Sequence, residues 1–499
     1  MQQQQQPTSN SYEHILKYTG LFGGIQGLNI LVSLLRNKCI AVILGPMGMG
    51  LMSLFNSTIM LLSNSTNLGL PMSAVRNISA ACENDDKQEL QRLVTVVRSW
   101  CLITALAGML ITIVLCRALN SWSFSWGDHT LHFVMLSPIV AVTAIVGGET
   151  AILKGMHSLR PLALVSLIHM VAALIIAVPA FLLFGSAAII PVLLLTAGVQ
   201  LLLTLHYSLR LFPYRLSWRR EHLGQGADMI RLGMAFVAAG MFGSGADFLI
   251  RTFLNNEASL ETVGFFNAGY MMTMVYAGMV FSAMETDYFP RLSAVYRDTA
   301  QANEAVNRQI EVALLMLSPL LVAFLVGMPI FLPLLYSGQF APVVGMTQVT
   351  VLAMYFRAIK LPIAYLPLAH GDSKSYMLLE AFYDILVVVL VVVLFRRYGL
   401  IGAGVAITIT TVVDFLFVGV YTHVKYRYRI HWQVLMYLCV QFSLGIAAYV
   451  ATLLLHGMGY WAAGIALTLI SAAVSVVILR KKTQIQLPRF LAFLHRGRR

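Results

Sequence analysis

Residues 161–184 read PLALVSLIHMVAALIIAVPAFLLF, and after the single Gly185 residues 186–207 read SAAIIPVLLLTAGVQLLLTLHY; neither run contains an Asp, Glu, Lys or Arg. A helix rises about 1.5 Å per residue, so each run is long enough to cross a hydrocarbon core of about 30 Å. In that medium no water satisfies the backbone, and a helix satisfies it internally. Similar runs fall near 17–43, 50–74, 99–118, 130–153, 231–254, 262–287, 309–335, 348–369, 376–395, 401–423, 433–455 and 460–480. The spacing predicts an all-α integral membrane protein of about fourteen transmembrane helices.

Composition agrees. Of 499 residues, 58% are hydrophobic and 11% are Asp, Glu, Lys or Arg, and the mean hydropathy is +0.77. Soluble domains carry about 25% charged residues, so most of this chain has no aqueous face to cover. Cys39, Cys82, Cys101, Cys116 and Cys439 lie in or beside apolar runs without a CxxC pair, which argues against a disulfide framework or a thiolate metal site. The net charge of +13 does not mark a nucleic-acid partner, because the basic residues are not gathered on one soluble segment. The odd-numbered breaks hold Arg117, Arg396 and Arg397, whereas the termini and even breaks hold most of the rest, including Arg210, Arg215, Arg219, Arg220, Lys425, Arg427, Arg429, Arg480, Lys481 and Lys482. That asymmetry orients the chain with both termini cytoplasmic. Residues 1–16, with Gln2 to Gln6, read as a disordered cytoplasmic tail and not as a signal peptide, and 481–499 as a basic tail. No loop is long enough for a soluble catalytic domain, so any chemistry must lie between helices.

The two halves repeat at about 220 residues. Arg36 precedes Gly50-Leu51 and Ser73-Ala74-Val75-Arg76; Arg251 precedes Gly264-Phe265 and Ser293-Ala294-Val295-Tyr296-Arg297. Lys154-Gly155-Met156-His157-Ser158 and His370-Gly371-Asp372-Ser373 close the pattern. The expected organisation is an N-terminal six-helix lobe with its connector over 17–230, a C-terminal six-helix lobe over 231–430 and a further helix pair over 431–480. A repeat of an even number of spans relates the lobes by a pseudo-two-fold axis along the membrane normal.

The order of several short motifs resembles the Wzx-type O-antigen and polysaccharide flippases of the multidrug/oligosaccharidyl-lipid/polysaccharide (MOP) exporter superfamily. They are residues 41–51 (AVILGPMGMGL), Asn67-Leu68-Gly69-Leu70-Pro71, Leu153-Lys154-Gly155, Val263-Gly264-Phe265-Phe266-Asn267, Phe289-Pro290-Arg291-Leu292-Ser293 and Phe340-Ala341-Pro342. The similarity runs from about residue 15 to about 425. It implies a flippase of the bacterial inner membrane that carries an undecaprenyl-pyrophosphate-linked glycan from the cytoplasmic to the periplasmic leaflet by alternating access. It also implies a proton or sodium gradient as energy source, no cofactor, and polysaccharide polymerase and chain-length proteins as partners.

An ionisable side chain at membrane depth is costly unless it faces protein or a wet cavity, so each one is a functional candidate. They are Arg36, Lys38, Glu149, Asp247, Arg251, Arg357, Lys360, Glu380, Asp384 and Asp414. Under the resemblance Arg36, Arg251 and Arg357 hold the pyrophosphate, since guanidinium offers a fork of donors matched to phosphate oxygens, and Lys360 extends the patch or snorkels. Arg251 has an alternative partner in Asp247, one turn away. Glu149, after Gly147-Gly148, and Asp414 are candidates for ion coupling, or fixed partners of arginines; Asp247, Glu380 and Asp384 join them. The Glu380/Asp384 pair lacks the further ligands of a divalent metal site, and a link to Lys360 or a monovalent cation fits it better. His169 and His206 read as interior hydrogen-bonding residues, and Trp122 and Trp126 as interfacial anchors. Pro71, Pro138, Pro179, Pro191, Pro329 and Pro362 interrupt helices. Three other readings compete. A multidrug or cation antiporter of the same superfamily should favour acidic or apolar cavities, a peptidoglycan-precursor flippase shares the basic cavity, and a membrane glycosyltransferase or polymerase needs a loop that is not there.

Overall fold

The structure, a computed structural model, describes residues 9–483 except 85 and 126. Every regular element among the described residues is helical: α1 (Ser9–Thr66), α2 (Leu70–Glu83), α3 (Lys87–Ser123), α4 (Thr130–Gly155), α5 (Leu159–Phe184), α6 (Ile189–Leu209), α7 (Arg220–Glu257), α8 (Leu260–Tyr270), α9 (Gly278–Val295), α10 (Thr299–Leu335), α11 (Val344–Ala369), α12 (Ser373–Tyr426), α13 (Trp432–Leu454) and α14 (Met458–Thr483). A π-helical turn, Met271–Ala277, joins α8 to α9.

Nine stretches among the described residues are long and apolar enough to cross a membrane. Three of them fold as two crossings each. Gly45 (φ 64°, ψ −172°) breaks α1 and Gly399 (φ 59°, ψ −143°) breaks α12, while Gly185 (φ 57°) separates α5 from α6. Each reversal uses a left-handed backbone that glycine adopts without a Cβ penalty. With α7 and the α8–α9 segment, both helical over the spans expected at 231–254 and 262–287, the count reaches the expected fourteen. Helix α1 begins at Ser9, inside the expected polar tail, with no Gly or Pro between Ser9 and Tyr18 to stop it. Trp126, and 1–8 and 484–499 of the two tails, lie outside the described residues. Trp122 is exposed at the end of α3. Pro71 stands at the start of α2 and not within a span: Leu68 and Gly69 are left-handed there, and Asn67 Oδ1 accepts from the Gly69 N–H at 2.9 Å.

Contacts divide the chain into two compact units, Met1–Asn267 with Pro333–Phe340, and Ala268–Leu332 with Ala341–Arg499. The first therefore extends through α7, past residue 230. Its core joins Leu70, Ala74 and Ile78 of α2 to Val96 and Val97 of α3 and Ile152 of α4. Gly148 lets α4 close on α3, since a Cβ there would lie 2.2 Å from Cys101 Sγ. The repeat-related Gly50 and Gly264 meet backbone to backbone. A Cβ on Gly50 would fall 1.9 Å from the Leu260 carbonyl oxygen, and one on Gly264 would fall 1.9 Å from that of Pro46. In the second unit Tyr288 donates to the Pro362 carbonyl (2.8 Å), and Tyr460 of α14 to that of Val326 on α10 (2.7 Å). Gln441 of α13 bonds Ser471 and Ser475 of α14 (2.6 and 2.9 Å).

The repeat is visible in turn geometry. Between α4 and α5 the N–H groups of Met156, His157 and Ser158 donate to the carbonyls of Ile152, Lys154 and Leu153. Between α11 and α12 those of His370, Gly371 and Asp372 donate to Leu366, Leu368 and Pro367. The left-handed residue is His157 (φ 52°) in one turn and Gly371 (φ 69°) in the other. The structural register therefore pairs His157 with Gly371. The same interval of 214 residues separates Gly50 from Gly264 and Gly185 from Gly399.

Substituting Gly264 by Val should lower stability by about 1–3 kcal/mol or more, because its neighbour is a backbone carbonyl that cannot rotate away. Thermal unfolding in detergent measures this, and an unchanged midpoint would show that the close approach is not held. Asp372 caps α12 through the Ser375 N–H (3.1 Å), accepts from Ser375 Oγ (2.7 Å) and Tyr426 (2.9 Å), and pairs with Lys425 (2.5 Å). Partial burial raises its pKa, but the bonds from Lys425, Ser375 and Tyr426 outweigh this and hold the carboxyl well below the usual carboxylate range. A depressed folded pKa stabilises above the unfolded value of about 3.9 and is lost as pH falls through the folded one. Asp372→Asn should thus melt below wild type at pH 7, with the gap closing below about pH 4; a gap that stays constant down to pH 3 would contradict the assignment.

Candidate functional site

Three helical segments of the second unit bring charge together. Arg357 and Lys360 lie one turn apart on α11. Glu380, Tyr383 and Asp384 share a face of α12 before its Gly399 break, and Thr411 and Asp414 share a face after it. Tyr270 and Met274 come from the end of α8 and the π turn. These side chains line a cavity of about 240 Å³. It admits a phosphate-sized group and is smaller than the roughly 300–1,000 Å³ of drug-sized sites.

Lys360 is buried, with Nζ 3.1 Å from Asp414 Oδ2, 3.7 Å from Glu380 Oε1 and 5.4 Å from the centre of the Tyr383 ring. Asp414 is buried, and neither its Oδ1 nor its Oδ2 has a geometrically formed hydrogen bond among the described residues, the Lys360 contact being an ion pair. Arg357 is half-buried; its Nη1 donates to the Met274 carbonyl at 3.1 Å and touches Met274 Sδ at 3.3 Å. The π turn explains that contact, since the wider i→i+5 ladder loosens carbonyls that an α-helix would hold, and such turns recur at functional sites. Among the described residues no three His, Cys, Asp or Glu side chains converge to hold a metal ion. Two larger recesses, about 810 and 870 Å³, lie along α10 near Arg308, where Arg308 pairs with Glu304 (2.6 Å) and Lys482 with Glu311 (2.5 Å).

The remaining candidates lie in the first unit, engaged in other ways. Glu149 forms a two-point ion pair with Arg98 (Nε–Oε1 2.8 Å, Nη2–Oε2 3.1 Å), both side chains at most 2% exposed. Ser208 Oγ also donates to Glu149, and Arg98 Nη1 donates to the carbonyls of Phe212 (3.2 Å) and Pro213 (2.8 Å). Arg251 is similarly saturated: Nε donates to Ser53 Oγ (2.7 Å), Nη1 meets Asp247 Oδ1 (2.8 Å), and Nη2 reaches Asn267 Oδ1 (3.4 Å). Arg36 is half-buried on α1, within electrostatic reach of His169. Lys38 Nζ donates to the Leu334 carbonyl at 2.7 Å. His169 is half-buried on α5. His206, by contrast, is exposed in the last turn of α6, where no packing helix covers it.

Arg98 escaped the sequence reading because it stands one residue before the apolar run at 99–118, where a basic residue normally marks the interface. Helix α3 in fact starts at Lys87, which puts Arg98 well inside it. Tyr383 carries a signal in its position between Glu380 and Asp384.

The chain is thus a polytopic helical bundle with charged side chains gathered between its helices. A family described as polysaccharide biosynthesis protein matches residues 15–296. The chain therefore belongs to the polysaccharide biosynthesis protein family, in line with the resemblance seen in its motifs. No curated protein sequence matches it. Its fold is that of MOP superfamily transporters. It aligns with an inward-facing multidrug resistance MATE family transporter at a TM-score of 0.68 and 16% identity, over 80% of this chain and 94% of that one. Against the lipid II flippase MurJ in an inward closed conformation the TM-score is 0.69 at 13% identity, over 93% of this chain and 100% of that one. A MOP superfamily transporter from Pyrococcus furiosus gives 0.57 at 16% identity, over 80% and 93%.

Removing one member of a saturated buried pair strands the other, at a cost of about 3–5 kcal/mol. Arg98→Leu or Glu149→Leu alone should therefore sharply reduce folded protein on size exclusion after heating, and the double substitution should recover much of it. Single variants as stable as wild type would remove Arg98–Glu149 from the structural framework.

Proposed function

We propose that this protein is a flippase that moves an undecaprenyl-pyrophosphate-linked oligosaccharide from the cytoplasmic to the periplasmic leaflet of a bacterial inner membrane. The observation that carries the reading is the pair Arg357 and Lys360, one turn apart and lining a cavity at membrane depth. A pyrophosphate needs a site of this kind, with a planar fork of donors beside a compact point charge. The family's description supports a glycan pathway, and the likeness to a lipid II flippase supports a lipid-linked cargo. The oligosaccharide does not fit the cavity and stays outside it; the headgroup enters. Glu380, Asp384 and Asp414 form the ion-responsive part, and a proton or sodium gradient supplies the energy. Arg36 is a further contact for the headgroup, whereas Arg251, whose donors are occupied by Ser53, Asp247 and Asn267, serves the frame. Both termini face the cytoplasm, and the translocated unit passes to a polymerase and chain-length proteins. In this role the protein transports and does not catalyse.

Purified protein in liposomes should move an undecaprenyl-pyrophosphate oligosaccharide between leaflets. The Arg357→Gln, Lys360→Gln variant should do so at least about tenfold more slowly, the loss expected when charge-assisted hydrogen bonds are removed. Arg36→Gln should show a smaller defect. Counter-transport of small organic cations without movement of any lipid-linked glycan would replace this reading with the antiporter one.

A further inference from the structure

Resting on the pyrophosphate site just proposed, we infer that Lys360 is an exchangeable counter-ion, so that cargo phosphate and one proton on Asp414 bind together and do not compete. The geometry behind this is specific. Lys360 is the one cation within 4 Å of Asp414 among the ion pairs of the described residues, and it is shared with Glu380. It is also the cation that a headgroup in the cavity would meet beside Arg357. An ammonium has three donors, but its single positive charge cannot neutralise Asp414, Glu380 and a phosphate oxygen together.

The groups facing Lys360 decide which of them yields. Arg357 stands beside it on α11; Glu380, Tyr383 and Asp384 face it from the first half of α12, Asp414 from the second half, and Tyr270 from α8. Glu380 keeps 30% of its side chain exposed and can remain ionised against water. Asp414 keeps 1%, and its Oδ1 already lacks a donor. When Lys360 turns to the phosphate, Asp414 becomes a buried carboxylate without a counter-charge, and it takes a proton. Lys360 remains an ammonium throughout; the proton comes from solvent and resides on a carboxylate oxygen of Asp414. When cargo leaves, the proton leaves and Lys360 closes on Asp414, so the empty site is neutralised from within. The co-bound proton travels outward against its own concentration gradient, so the exchange draws on the electrical part of the ion gradient. A pyrophosphate diester with one proton still carries net negative charge, which a membrane potential that is negative inside drives outward.

The test uses the full-length protein in nanodiscs and inorganic pyrophosphate as probe. Titration calorimetry in sodium-free buffers of different ionisation heat between pH 6 and 8 counts protons taken up per anion. The comparison with Asp414→Asn cancels the probe's own titration. Wild type should take up close to one proton more than Asp414→Asn, and its affinity should fall about tenfold more steeply per pH unit where Asp414 ionises. Asp414→Asn should bind more tightly than wild type at pH 8, and Lys360→Gln should bind weakly with no excess proton. Equal proton counts in wild type and Asp414→Asn would overturn the exchange while leaving the pyrophosphate site standing. No binding to wild type would overturn the site itself, and the exchange with it. Should Asp414→Asn fail to fold, Glu380→Gln decides: it should take up as many protons per anion as wild type, whereas a count lower by about one would move the protonation to Glu380 and overturn the assignment.

Discussion

A charge carried between apolar helices must find its counter-charge inside the protein, since lipid offers none and burial without compensation costs several kcal/mol. The buried cations Arg98, Arg251 and Lys360 answer that constraint in two ways. Arg98–Glu149 and Arg251–Asp247 are surrounded by further donors and acceptors: Ser208 and the Phe212 and Pro213 carbonyls for the first, Ser53 and Asn267 for the second. Such groups have nothing left to offer a ligand, and they tie α3 to α4 and α1 to α7. The cluster around Lys360 is different, with one ammonium between two carboxylates, a carboxylate oxygen without a donor, and a cavity alongside. Incomplete satisfaction, more than charge itself, separates the site from the frame.

Much of this was legible in the sequence because hydrocarbon allows so few alternatives. Runs such as 161–184 have no reading in water, and the rarity of charge made each of Arg357, Lys360, Glu380, Asp384 and Asp414 conspicuous one by one. Their convergence depends on the break at Gly399, which folds the two halves of α12 against α11, and a list of spans does not contain that angle. The role of Arg98 was hidden because the apolar run at 99–118 starts later than the helix that contains it. The register of the turn after α4 is hidden for a related reason: His157 adopts the left-handed conformation that its counterpart Gly371 adopts more easily, so no glycine marks the position there.

The repeat also shows what the two halves do not share. At the interval of 214 residues set by Gly50, His157 and Gly185, the positions of Arg357, Lys360, Glu380, Asp384 and Asp414 fall on Thr143, Val146, Ser166, Met170 and Gln200, none of them charged. Glu149, in turn, falls opposite Ile363. The turn hydrogen bonds and glycine reversals that define the frame occupy positions separate from those that carry the charge. A duplicated fold of this kind can therefore diverge in its chemistry while its architecture stays still, one copy keeping its ionic residues as mortar and the other gathering them around a cavity. In that sense the chain is a heterodimer written as a single polypeptide.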